Sequence, residues 1–257
     1  MYINTARALA FMLIMLRMTG FLVLNPILGR RNIPSMVNAV LAFLLAFLLL
    51  DTVADPPIAD PTFFQFALLA VRELFIGFAG GVLFQMFVSI LIVGGEIIDL
   101  QQGISMAKAF DPTTNATVSI SSNFFIIMYT LIFFTTGNHL TFIHLMSVTL
   151  RVLPVGDFAL NLDGFFYMPE LFSTILVFAM KLALPVVVIE TIVSMAVGII
   201  MRIIPQINVF VVNIQFKLFT GLLILVLLVG PVIGYFGNMI EISFEMLGDS
   251  LGAMFSR

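Results

Sequence analysis

Three stretches of this chain carry no Asp, Glu, Lys or Arg: Leu74 to Gly95, Pro112 to Leu150, and Leu218 to Ile240. Each reaches the roughly 18–20 apolar residues that a helix needs to cross about 30 Å of hydrocarbon. Hydrocarbon offers no partner to a free backbone N–H or C=O, so a spanning segment must satisfy its own, and these runs are longer than a strand requires. Composition agrees, with 61% hydrophobic residues, 10% charged and a mean hydropathy of +1.18. Soluble domains carry about 25% charged residues. The expectation is an all-α integral membrane protein forming a single membrane domain over residues 1–257.

Apolar segments fall at about 8–28, 35–50, 62–93, 118–135, 139–155, 171–201 and 207–236. Between them lie turn-forming sequences such as NPILGRRNIP, DTVADPPIADP, TTGNH and RIIPQIN. The most polar interruption is Gly95 to Asn115, GEIIDLQQGISMAKAFDPTTN, read as an irregular loop. Irregular backbone at membrane depth must line a cavity or meet another protein, so function is expected there. No break is long enough to hide a soluble domain. Arg17 interrupts the first apolar run and no small-residue cleavage site follows it, so a removable signal peptide is not expected. Cysteine is absent, which excludes disulfides and thiolate chemistry.

Charge placement resists a simple topology. Arg30-Arg31 belongs on the cytoplasmic side by the positive-inside rule, yet strict alternation through seven spans puts Arg151 inside and Arg202 outside. One segment is then re-entrant, or not every helix is a conventional span. The run 171–201 is also overlong, about 46 Å against roughly 30 Å of hydrocarbon, and Pro185 within it predicts a bend.

Ionisable residues inside apolar runs need shelter. Nine Leu, Ile, Val and Phe neighbours of Arg17 contribute about -4 kcal/mol toward insertion, against about +3 for the arginine. Arg17 therefore reaches a headgroup, a carbonyl on a neighbouring helix, or an acid in another subunit. Arg72 and Glu73 are expected at the mouth of a span that slides to Leu74–Val93. Lys181 and Glu190 stand nine residues apart on opposite helix faces, so they cannot pair, and Lys217 is equally deep. Gly77 and Gly81, and later Gly230 and Gly234, have the four-residue spacing that permits close helix packing.

Enzymatic signatures are missing: no phosphate-binding glycine loop, zinc helix or serine elbow occurs. His139 and His144 do not stack on one helix face, and no carboxylate stands in their segment, so no metal or other cofactor is expected. Glu96 and Asp99 share a helix face but read as a solvated helix end. A net charge of -3 with no basic cluster beyond Arg30-Arg31 argues against nucleic acid.

The order Arg72-Glu73-Leu74-Phe75-Ile76-Gly77, Gly80-Gly81, Gly95-Glu96, Gln101-Gln102-Gly103, Asp111-Pro112, and late Pro205, Asn208 and Lys217 resembles the FliR family of flagellar biosynthetic proteins. The resemblance covers essentially the whole chain; the early turn GRRNIP departs from the glycine pair frequent in relatives. It implies a non-enzymatic core subunit of the flagellar type III export gate, in the bacterial inner membrane at the flagellar basal body. P-type and Q-type gate subunits, other export-apparatus membrane proteins, unfolded flagellar substrates and membrane lipid are the implied partners. Residues 1–160 would be P-subunit-like and 161–257 a Q-subunit-like helical hairpin, with helices tilted and partly lifted from the bilayer. A pore plug is implied at about Gly103 to Asn123, including Gly103, Ser105, Met106, Phe110, Asp111, Pro112, Thr113 and Asn115. Arg17, Arg72, Glu73, Lys181, Glu190 and Lys217 would then meet other subunits. The R-type subunit of a virulence injectisome is the near alternative, and an ion-coupled secondary transporter a more distant one.

Overall fold

In the computed structural model the residues described are 5–29, 33–53, 61–104, 119–156, 168–203 and 209–255. Among them, seven α-helices occupy the seven apolar segments: α1 Thr5–Val23, α2 Ser35–Leu49 with a 3-10 turn at Leu50–Thr52, α3 Phe63–Gln102, α4 Ile120–Thr135, α5 Asn138–Val152, α6 Met168–Ile203 and α7 Val209–Phe255. No strand occurs among the described residues. Among the described residues, five helices are long and apolar enough to cross a membrane, or six crossings if α4 and α5 form one broken span. At 16 and 15 residues, α4 and α5 are each short of a crossing, and Gly137 between them takes a φ of +77°. The chain is thus an all-α integral membrane protein, and not all seven segments are conventional spans.

Two expected boundaries shift. The loop set to begin at Gly95 begins eight residues later, because α3 continues through Gly94-Gly95 to Gln102. These glycines mark close packing and not a turn: a Cβ on Gly94 would press on Leu182 and the Ala179 carbonyl, and one on Gly95 on Ser122. The last helix passes well beyond residue 236 to Phe255, where Ile240, Ser243 and Leu247 are buried at helical spacing despite the exposed Glu241 and Glu245. Helix α6 runs unbroken through Pro185 and reaches about 54 Å for its 36 residues.

By compactness the chain forms two units. The first comprises residues 1–87, 136–172 and 241–257. Its core is the stripe Leu9, Leu13, Phe21 of α1, with Phe84 of α3 against Phe142 at 4.9 Å between ring centres. Gly20 and Gly77 let α1 and α3 meet backbone to backbone; a Cβ on Gly20 would lie 2.7 Å from the Leu74 carbonyl. The second unit comprises residues 88–135 and 173–240, around Phe125, Tyr129 and Phe236; the Phe236 ring meets each of the other two edge to face at 6.0 Å.

Candidate functional site

Within the second unit, α3 ends and α4 begins at one place. Gly103, with a φ of +78°, terminates α3 in the left-handed conformation that a glycine adopts without strain, and its N–H donates to the Leu100 carbonyl at 3.2 Å. The returning chain enters α4 at Ser119, whose hydroxyl oxygen accepts the Ser122 N–H at 3.1 Å. Asp99, in the last turn of α3 and buried, accepts the Ile120 N–H at 2.8 Å and the Ser121 N–H at 3.2 Å. An acid 21 residues earlier in sequence thus caps α4, where the helix dipole favours negative charge. The Ser122 hydroxyl completes the seam by donating to the Ile92 carbonyl at 2.8 Å.

Helices α6 and α7 brace the same foot. Lys217 Nζ donates to the Gln101 carbonyl at 3.1 Å, placing a cation at the C-terminal end of α3. Gln101 Nε2 donates to the Thr191 hydroxyl at 3.2 Å. The buried Gln102 side chain lies against Gly221, where a Cβ would collide with it. Thr220, one turn from Lys217, has its hydroxyl 2.9 Å from Glu190 Oε1 and 2.7 Å from the Phe216 carbonyl, so its single proton is shared. Glu190 is buried, and its Oε2 and both polar ends of Gln102 have no hydrogen-bond partner among the described residues.

The first unit holds a second buried polar network. Arg17 Nε donates to Glu73 Oε2 at 2.6 Å, with Nη2 2.5 Å from the same oxygen and both side chains fully buried. Arg17 Nη1 donates to the carbonyls of Thr149 and Leu153 at 3.1 and 3.0 Å, at the C-terminal end of α5. The Gly156 N–H faces Glu73 Oε1 at 3.5 Å, and Arg72 Nη1 donates to the Gly156 carbonyl at 3.4 Å.

Several expected roles are relocated by this geometry. Glu73 is fully buried within the first unit, where Arg17 neutralises it. Arg17 and Glu73 satisfy each other inside the chain, and Glu190 and Lys217 are met by Thr220 and Gln101. Lys181, expected among the buried charges, is exposed on α6, its Nζ 5.6 Å from the Phe178 ring centre. Gly77 and Gly81 pack on α1, whereas Gly230 and Gly234 are exposed, and a Cβ on either would have no neighbour within 4 Å. Gly103 alone of the named plug residues is described; Ser105, Met106, Phe110, Asp111, Pro112, Thr113 and Asn115 lie outside the described residues. Sequence reasoning passed over Asp99 as a solvated acid, named Gln102 only within the Gln101-Gln102-Gly103 motif of the resemblance, and did not mark Thr220 or Gly221. No three His, Cys, Asp or Glu side chains converge on a metal position among the described residues.

The sequence pattern of bacterial export proteins, family 1, matches residues 8–242. The chain is 32% identical to the flagellar biosynthetic protein FliR of Aquifex aeolicus over 82% of this chain and 81% of that one. It is 29% identical to FliR of Escherichia coli over 93% and 92%, and 26% identical to FliR of Bacillus subtilis over 94% of each. With almost its entire described length inside that match, from α1 well into α7, the chain belongs to the bacterial export proteins, family 1.

Proposed function

We propose that this chain is a core subunit of the gate through which unfolded flagellar proteins leave the cell, sitting in the inner membrane at the flagellar basal body. It is a subunit of the flagellar export apparatus with no catalytic step of its own, and the flagellar names of its relatives favour that apparatus over an injectisome. P-type and Q-type gate subunits are its proposed neighbours, residues 1–160 being P-like and 161–257 Q-like. Half-exposed Lys217 and the open glycine face at Gly230 and Gly234 are the features we assign to contacts with them.

The observation that carries the reading is the stitched foot at Asp99, Gln101, Gly103 and Ser119. A segment that closes a pore and yields to a passing chain needs two fixed ends, and the polar 105–118 stretch connects such a pair. Replacing residues 105–118 by a Gly-Ser linker of equal length, with Gly103 and Ser119 kept, tests it. The expected outcome is an assembled gate that leaks ions, measured as dye or potassium efflux from cells. Unchanged permeability with the complex intact would remove the plug.

A further inference from the structure

Helix α6 is far longer than a bilayer is thick, and its exposed charges say which part of it faces hydrocarbon. Lys181 and Arg202 are both exposed, and Lys181 forms no ion pair among the described residues. Twenty-one residues separate them, about 32 Å along a helix, against roughly 30 Å of hydrocarbon. They also lie within about 60° of one another around the helix, at about 100° per residue. Between them, on that same face, stand Leu184, Val188, Ile192, Met195 and Ile199, each exposed by 48% or more. The one charge inside this interval, Glu190, is turned inward to Thr220.

Helix α7 supports the same register. Phe178 pairs with Tyr235 and Glu190 with Thr220, so the two helices run antiparallel. Tyr235 donates its hydroxyl to the Phe178 carbonyl at 2.6 Å, one turn from Lys181, putting an amphipathic ring at the level where tyrosines gather at the water boundary. Deeper in, α7 exposes Leu223 and Leu227, while Lys217 is engaged by Gln101.

We propose that the outer face of α6 from Lys181 to Arg202 is a lipid-facing surface, with these two cations reaching phosphate headgroups of opposite leaflets. Residues 168–180 of the helix then stand beyond the hydrocarbon. Both side chains have the apolar stem and charged tip that allow this reach. A neighbouring subunit covering the same face would have to present acids to both Lys181 and Arg202. The inference concerns membrane register and does not depend on the export role.

The chain has no cysteine, so nitroxide labels at single cysteines report one site each. Labels at Val177, Val188, Ile192 and Ile199 are placed in the full chain, purified with whatever accompanies it and returned to phosphatidylethanolamine–phosphatidylglycerol vesicles. The ratio of oxygen to chelated-nickel accessibility should peak at Ile192, on the order of five-fold above Val177. Labels at Val188 to Ile199 shielded from both reagents would mean a partner helix covers the face and would overturn the proposal. Nickel access at Ile192 would overturn it by making the face aqueous. With Lys181→Leu the peak should slide about one turn toward the N-terminus of α6, and with Lys181→Arg it should stay. An unmoved peak in Lys181→Leu removes the headgroup anchor. Secretion of flagellar protein by the same strains is scored separately, so loss of the lipid face with export intact sinks this inference alone.

Discussion

The two buried polar networks differ in how far they close on themselves. In the first unit Arg17 spends its donors on Glu73 and on two carbonyls that end α5, so charge meets charge with no solvent nearby. In the second unit Glu190 accepts one shared proton from Thr220, and Gln102 is buried with both polar ends unpartnered among the described residues. A buried polar group without a partner costs about 1–3 kcal/mol. The first network joins α1, α3 and α5 through an ion pair, whereas the second joins α3, α6 and α7 without one between the partners named above.

The largest effect that tests this contrast lies in the closed network. Glu73→Leu leaves the Arg17 guanidinium buried without its counter-charge, which costs about 3–5 kcal/mol. The expected outcome is a severe loss of chain from the membrane fraction, read by immunoblot after a chase. The double variant Arg17→Leu with Glu73→Leu should recover part of the loss, but not all, because Arg17 also serves Thr149 and Leu153. A single variant that accumulates normally would make the first network no more closed than the second.

This contrast was only partly legible in the sequence. Apolar runs located all seven helices because the hydrocarbon solvent dictates segment length, and the small residues Gly77 and Gly81 announced a close approach. What they approach was hidden: Gly20 and Arg17 lie on a helix more than 50 residues away, and nothing local links Arg17 to Glu73. Gly94-Gly95 misled for the same reason, since a glycine pair that admits a neighbouring helix looks in sequence like one that makes a turn. Asp99 was readable as an acid near a helix end. That it caps the following helix required knowing that the chain returns to the same spot.

The glycines sharpen the comparison at the next level. Gly77→Val would drive a side chain into the Arg17 carbonyl and Gly20, and overpacking of this kind costs about 1–3 kcal/mol. Gly234→Val meets nothing within the described residues. The first should lower the thermal midpoint of the purified chain in detergent, and the second should leave it unmoved while reducing co-purification of other gate subunits. Equal effects on both readouts would dissolve the distinction between inward and outward glycines.

Smaller again is the cap on α4. Asp99→Ala removes the acceptor of the Ile120 and Ser121 amides, worth about 1 kcal/mol. Those two amides should exchange with solvent several-fold faster, while Phe125 and Tyr129, deep in the same helix, keep their protection. Faster exchange along all of α4 would mean that Asp99 supports the whole unit and not merely the foot.

The smallest expected effect is the most diagnostic. Glu190→Gln preserves an oxygen for Thr220 and removes a charge whose second oxygen has no partner among the described residues, so the change in stability should stay within about 1 kcal/mol. The same substitution at Glu73 takes the counter-charge from Arg17 and should cost several-fold more. Measuring both by thermal midpoint in one detergent turns the contrast between the networks into a ratio. If Glu190→Gln proves as damaging as Glu73→Gln, then Glu190 has a strong partner in the assembled protein, and Lys217, one turn from Thr220 on α7, is the residue to change next. A charge-reversed pair, Glu190→Lys with Lys217→Glu, would recover stability if that partner is Lys217. It would stay unstable if the partner comes from outside the chain.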